Sequence, residues 1–214
     1  TGAMKKMPLT PVTLPDEPGF ETLFNGRDFT NFKFLFGIRC TAPPGCGKTD
    51  PDAFRVRNGV IVANGRHSGY MYTEKRYLDF VLRFDYRVVP PPDYSDEDDE
   101  PLLTGGGFYL FLTDHRVWGR GLELEGDYDR MLVPFGIGAA IQSTWDKAAA
   151  ENANRGAGPW NSVRIVARNG QVDSYLNNTL VSRVTKHPFT EAGHIAWQYE
   201  GATWMYRRIR VKAE

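Results

Sequence analysis

The chain has 214 residues, 41% of them apolar and 13% aromatic, enough for one sizeable folded domain. Lys and Arg total 26 and Asp and Glu total 26, so no global field favours nucleic acid or an anionic membrane surface. No apolar run approaches the roughly eighteen residues of a membrane-spanning helix, so no transmembrane segment is expected.

Residues 1–19 read as an extended arm, because Pro8, Pro11, Pro15 and Pro18 forbid a long helix. Thr1 to Met7 contains no apolar signal-peptide core, and Thr1-Gly2-Ala3-Met4 has the look of an expression scar. The expected domain occupies residues 20–214. Cys40 and Cys46 flank Thr41-Ala42-Pro43-Pro44-Gly45. A disulfide closing that loop suits an oxidising compartment, and two free thiols are the alternative. Zinc does not fit, because two cysteines fill half a tetrahedral shell and no histidine lies close in sequence.

Strand signals dominate from Phe54 onward. Phe54 to Arg57 and Val60 to Ala63 flank Asn58-Gly59, a strong hairpin turn. Between Leu78 and Val89, Phe80, Leu82, Phe84, Tyr86 and Val88 alternate with Val81, Arg83, Asp85 and Arg87, which predicts a strand with one buried face. Pro90-Pro91-Pro92 and the acidic run Asp93 to Glu100 form a long loop. It reads as a solvated excursion, with calcium binding by Asp96, Glu97, Asp98 and Asp99 the sharper alternative. Phe108 to Leu112 is apolar or aromatic throughout, as in a strand covered on both sides.

Gly121-Leu122-Glu123-Leu124-Glu125-Gly126-Asp127 comes next. In an extended strand Glu123, Glu125 and Asp127 leave from one face, roughly 7 Å apart, with Leu122 and Leu124 on the other. A carboxylate row is costly inside a core but suits acid and base work on a polyhydroxylated ligand. Asp127 is open to a second reading as a turn residue beside Gly126.

Ser143 to Asn154 is the helical pattern of the chain and predicts a short surface helix. Trp160 to Arg168, Val172 to Asn177 and Leu180 to Val184 form a meander with tight turns at Asn169-Gly170 and Asn177-Asn178. His194 to Tyr199 and Thr203 to Val211 close the chain as strands. His67, His115, His187 and His194 show no metal-ligand spacing, and Asp114-His115 draws attention because it follows the apolar strand beside the acidic one. About a dozen short strands with almost no helix predict an all-β fold: a two-sheet antiparallel β-sandwich of jelly-roll type.

The order of motifs resembles the 3-keto-disaccharide hydrolase family, a group of concanavalin-like sandwich domains. Gly19 to Asp28 is similar to its opening motif, and Phe54 to Ala63 to its Val-Ile hairpin. Tyr72 to Phe80 is similar to its Thr-x-Lys-x-Tyr-x-Asp-Phe segment. Gly121 to Glu125 stands in the place of its Gly-Tyr-Glu-x-Gln strand. Pro159-Trp160-Asn161, Ile195 to Gly201 and Tyr206 to Ile209 match its later motifs. The likeness runs from about Phe20 to Lys212. The family's Asp-His pair before the closing glycine is Tyr199-Glu200 here, its central glutamine is Glu125, and Leu112-Thr113-Asp114 stands where it often has an arginine.

The resemblance implies a glycoside substrate whose sugar is oxidised at carbon 3. The ketone acidifies the hydrogen on carbon 2, a carboxylate removes it, and a general acid helps the group on carbon 1 to leave. Glu123, Glu125 and Glu200 are the candidate acids and bases. Arg207 is the candidate for steadying negative charge, with Lys75 and Arg76 ranked below it, and a divalent metal is a second source of positive charge. Trp118, Trp160, Trp197 and Trp204 offer faces for a sugar ring, with Gln198 and Asp127 as polar contacts. Solvated strand faces, salt bridges and core packing are the bland readings of these same residues. Two other functions fit: a laminarinase-like retaining glucanase, and a non-catalytic carbohydrate-binding module. A periplasmic or extracellular location is expected.

Overall fold

The computed structural model describes residues 18–36, 53–64, 69–89, 105–115, 119–127, 129–199 and 202–214. In chain order they form β1 (Glu21–Thr22), β2 (Phe32–Phe36), β3 (Phe54–Arg57), β4 (Val60–Ala63), β5 (Gly69–Thr73), β6 (Phe80–Val89), β7 (Gly107–Leu112), β8 (Gly121–Glu125), β9 (Pro134–Ile137), β10 (Gln142–Trp145), α1 (Lys147–Ala153), β11 (Asn161–Arg168), β12 (Gln171–Leu176), β13 (Thr179–Lys186), β14 (His194–Tyr199) and β15 (Thr203–Ala213). The strands make two antiparallel sheets. One has nine strands in the order β10-β13-β12-β11-β6-β15-β4-β3, with β1 also paired to β15; the other has six in the order β2-β5-β14-β7-β8-β9. This is the expected jelly-roll sandwich.

Local sequence accounts for the hairpins. Arg57 pairs with Val60 across Asn58-Gly59, whose φ angles are 51° and 75°. Two positive φ values make a type I′ turn, whose twist matches that of the flanking strands. Asn169-Gly170 (52° and 74°) and Asn177-Asn178 (47° and 70°) repeat the device in the β11–β12–β13 meander. β6 buries Phe80, Leu82, Phe84, Tyr86 and Val88 against the other sheet and turns Arg83, Asp85 and Arg87 outward.

Aromatic rings fill the space between the sheets. Phe84 meets Phe108 edge-on at 4.8 Å and Trp197 at 5.7 Å, and Trp204 stacks on Tyr206 at 6.0 Å. Fully burying a side chain of this size contributes roughly 1.5–3 kcal/mol. Trp197 and Trp204 are 0% exposed, which corrects the expectation that they present faces to a sugar.

β7 is buried along its whole length, as expected, but it does not alternate simply. Phe111 has φ of 59° and the pairing with β14 shifts register there. This bulge sends Phe108, Leu110 and Phe111 to the inter-sheet core and leaves Tyr109 and Leu112 on the outer face. The predicted helix is shorter than Ser143 to Asn154. Gln142–Trp145 pairs with β13 as a strand, and α1 begins after Asp146, whose carboxylate accepts from the Ala149 N–H at 2.9 Å. That N-cap fixes the start. The arm through residue 17, the Cys40–Cys46 loop, His67, the acidic run, Trp118 and Glu200 lie outside the described residues. Among the described residues no helix is long and apolar enough to cross a membrane.

Candidate functional site

Leu122 and Leu124 pack into the inter-sheet core, so Glu123 and Glu125 leave β8 on the outer face of the six-stranded sheet. The register lays two rows across that face. In the first, Glu123 stands beside Tyr109, Tyr109 beside Ala196, and Ala196 beside Tyr72. In the second, Glu125 stands beside Gly107, Gly107 beside Gln198, and Gln198 beside Tyr70.

Glu123 is only 5% exposed. The Tyr109 hydroxyl donates to its carboxylate, and burial together with that carboxylate drives the phenol far above its usual range. Gly107 makes room for the acid: a Cβ there would sit 3.0 Å from Glu123 Oε1. Glu125 is half-buried. Burial raises its carboxyl above the usual range, the Asp127 charge adds to that, and Arg130 opposes it. The Gly126 N–H donates to Glu125 Oε1 at 3.3 Å. Two neighbouring carboxyls in unlike surroundings can divide acid and base roles.

Aromatic rings lead from the acids to a cationic end. Tyr109 lies 6.2 Å from Tyr70, Tyr70 is 5.9 Å from Tyr72, and Tyr72 is 4.3 Å from His115 and 5.2 Å from His194. His194 Nδ1 lies 2.7 Å from the Thr73 carbonyl, and Arg76 Nε donates to His194 Nε2 at 3.1 Å. A carbonyl only accepts and a guanidinium only donates, so these partners fix the neutral Nδ1–H tautomer. Burial, followed by other causes that include the Arg76 charge, holds both His194 and His115 below the usual imidazole range. Arg76 is thus a fixed positive charge here, with Lys33 a second one near His115. Between the two ends, the Tyr70 hydroxyl and Gln198 Oε1 are buried without a hydrogen-bond partner among the described residues. Unused buried polar atoms of this kind are what an incoming ligand would satisfy.

The structure brings together Glu123, Glu125 and Gln198 of the expected site residues. Asp127 stands past the end of β8. Its Oδ1 accepts from the Gly105 N–H at 3.1 Å and its carbonyl accepts from the Arg130 N–H at 3.0 Å, so two acids rather than three share the row. Arg207 is corrected to the other sheet. Its Nε donates to Asp85 at 3.0 Å and its guanidinium stacks 4.0 Å from the Trp160 ring, which removes both residues from the carboxylate face. Trp197 is in the core, as described. Sequence reasoning missed Tyr70, Tyr72, Tyr109 and His194. Tyr70 and Tyr72 alternate around Met71 and were readable as one face, whereas the apolar run of β7 hid Tyr109. Among the described residues no three His, Cys, Asp or Glu side chains gather closely enough to hold a metal, so the donors seen do not fit one.

The model of the 3-keto-alpha-glucoside-1,2-lyase-like domain matches residues 19–212, and the chain belongs to that family. No curated protein sequence matches it. Among solved structures, a candidate glycosyl hydrolase from Parabacteroides distasonis ATCC 8503 is similar at 18% identity, with a TM-score of 0.60 over 92% of this chain and 94% of that one. A second such protein from the same organism gives 16% identity and a TM-score of 0.59 over 91% and 99%. The β-glucanase of Bacillus licheniformis gives 10% identity and a TM-score of 0.54 over 91% and 97%. At such identities the likeness is one of fold, shared by glycosidases and lectins alike.

Proposed function

We propose that this protein breaks the glycosidic bond of a 3-keto-glucoside by elimination across carbons 1 and 2, at the outer face of the six-stranded sheet. The observation that carries the reading is the pair Glu123 and Glu125, both desolvated, on one face, in unlike surroundings. The Glu123 carboxylate takes the proton from carbon 2, which the neighbouring ketone has made acidic. The C–H electron pair becomes the enolate of carbons 2 and 3. The Tyr70 hydroxyl, without a hydrogen-bond partner among the described residues, donates to the oxygen that gathers this charge. The enolate then expels the group on carbon 1, and Glu125, whose carboxyl burial raises above its ordinary range, gives its proton to the departing oxygen. Water adding back across the new double bond turns the elimination into net hydrolysis.

Arg76, His115 and His194 bracket the far end of the face. Tyr72 sits three strands from Glu123, roughly 14 Å at the usual strand spacing, a span that matches two sugar units rather than one. Incubation with a 3-keto-glucoside and, separately, with an unoxidised β-glucan tests the proposal. Aglycone release from the first alone, lost in Glu123→Gln, is expected. Cleavage of the unoxidised glucan would favour glucanase chemistry. Ligand-induced melting shifts without any turnover would favour a binding module.

A further inference from the structure

We propose that Gln198 decides which sugars this face accepts: its side-chain carbonyl receives the hydroxyl on carbon 2 of the oxidised sugar, while the Tyr70 hydroxyl donates to the ketone on carbon 3. It rests on the elimination proposed for this face and adds the substrate class, a 3-keto-glycoside whose carbon-2 hydroxyl is free. Gln198 of β14 and Tyr70 of β5 stand directly opposite one another in register, and both are nearly sealed, at 5% and 2% exposed. Gln198 Oε1 and the Tyr70 hydroxyl are each without a hydrogen-bond partner among the described residues. An unmet buried polar atom is costly, and here two stand on facing residues.

The two atoms are complementary in kind. Gln198 Oε1 can only accept. Burial first, then the neighbouring Tyr72 and Asp114, raises the Tyr70 phenol above its usual range, so it keeps its proton and can donate. Facing residues of an antiparallel pair have Cβ atoms about 4.5–5.5 Å apart, yet this donor and this acceptor do not bond to one another. The group that satisfies both accepts at one atom and donates at the next. A ketone only accepts, and a hydroxyl on the adjacent carbon has a proton to give. An α-hydroxyketone therefore matches the pair.

The order of residues across the sheet selects the hydroxyl. The row runs Glu125, Gly107, Gln198, Tyr70. The acid for the oxygen on carbon 1 stands at one end and the donor for the ketone on carbon 3 at the other, so Gln198 between them meets carbon 2. The hydroxyl on carbon 4 lies beyond the ketone, away from Gln198. Trp197 and Tyr199 on either side of Gln198 go to the inter-sheet core, which turns Gln198 to the outer face. Gly107 puts no side chain between Glu125 and Gln198, which leaves room for a ring to lie along the row. A substituent on the carbon-2 oxygen removes the proton that Gln198 receives, so a 2-linked sugar is refused.

The test compares a 3-keto-glucoside with its 2-deoxy and 2-O-methyl analogues, which all keep a hydrogen on carbon 2 beside the ketone. kcat/KM is measured for wild type, Gln198→Leu and the unbranched Gln198→Met. Wild type should prefer the parent to either analogue by about tenfold or more, the range of one buried hydrogen bond. Both Gln198 variants should lower kcat/KM for the parent by a similar factor and leave the 2-deoxy analogue nearly unchanged. The preference then collapses, and the ratio between proteins cancels the intrinsic difference in reactivity between the two sugars. Tyr70→Phe should slow both by the same factor and keep the preference. A merely structural Gln198 would lower turnover of parent and 2-deoxy analogue alike, which would overturn the assignment. Wild-type turnover of the 2-O-methyl or 2-deoxy sugar as fast as the parent would also overturn it, while the elimination stood. Absence of turnover of every keto sugar would overturn the elimination and this inference with it.

Discussion

Glu123 is the residue on which the proposed chemistry turns, and its surroundings explain why. A buried carboxylate held by one phenol and given space by a glycine keeps a fixed orientation, which a base needs. Glu123→Gln preserves shape and should leave the melting temperature unchanged while turnover falls about 100- to 10,000-fold, the usual contribution of a general base. Glu125 differs, because its carboxyl is raised by burial and by Asp127. The folded state therefore binds this proton more tightly than the unfolded chain does. The resulting stabilisation is complete below the ordinary value of 4.5 and is lost as pH rises through the raised folded value. Denaturation of wild type and Glu125→Gln between acid and neutral pH should show that slope in the first and not the second. The histidines act in the opposite sense. His115, His187 and His194 are all held below 6.5, so the stability they lend is present above that pH and fades as pH falls through their folded values.

Among the strands, periodicity was the readable signal and three-dimensional placement was not. The alternation of β6 and the Asn-Gly turns gave hairpins and buried faces from sequence alone, because both are local effects. The assignment of strands to sheets is not local. Arg207 and Glu123 each sit on a regular outward face, yet the faces belong to opposite sides of the molecule. One error was avoidable: Trp197 and Gln198 are neighbours in a strand and cannot both reach the same ligand. The bulge at Phe111 was beyond reach, since a bulky residue at positive φ is imposed by its neighbours. Gly193 is the neighbour that permits it, for a Cβ there would lie 2.2 Å from the Phe111 carbonyl carbon. Gly193→Ala should cost about 3 kcal/mol in denaturant unfolding. Gly107→Ala is gentler, meeting the Glu123 carboxylate at 3.0 Å and the Leu124 carbonyl at 3.2 Å; by pushing the carboxylate out of its held orientation it should lower turnover more than tenfold, with a smaller loss of stability than Gly193→Ala.

For the molecule as a whole, the sandwich separates its duties. The interior between the sheets is aromatic and holds the fold, so Trp197→Ala should cost about 3–5 kcal/mol, and Trp197→Phe should lower stability without changing substrate affinity. Among the described residues, the outer face of the six-stranded sheet gathers acids, phenols and histidines with Arg76 and Arg130 beside them, and the outer face of the nine-stranded sheet gathers arginines. The measurement that bears most directly on the central claim follows the carbon-2 hydrogen of a 3-keto-glucoside by NMR in deuterated water. Wild type and Arg207→Gln should release aglycone and yield a sugar carrying deuterium at carbon 2, and Glu123→Gln should do neither. Release of aglycone with the original hydrogen retained, or undiminished release by Glu123→Gln, would contradict the account.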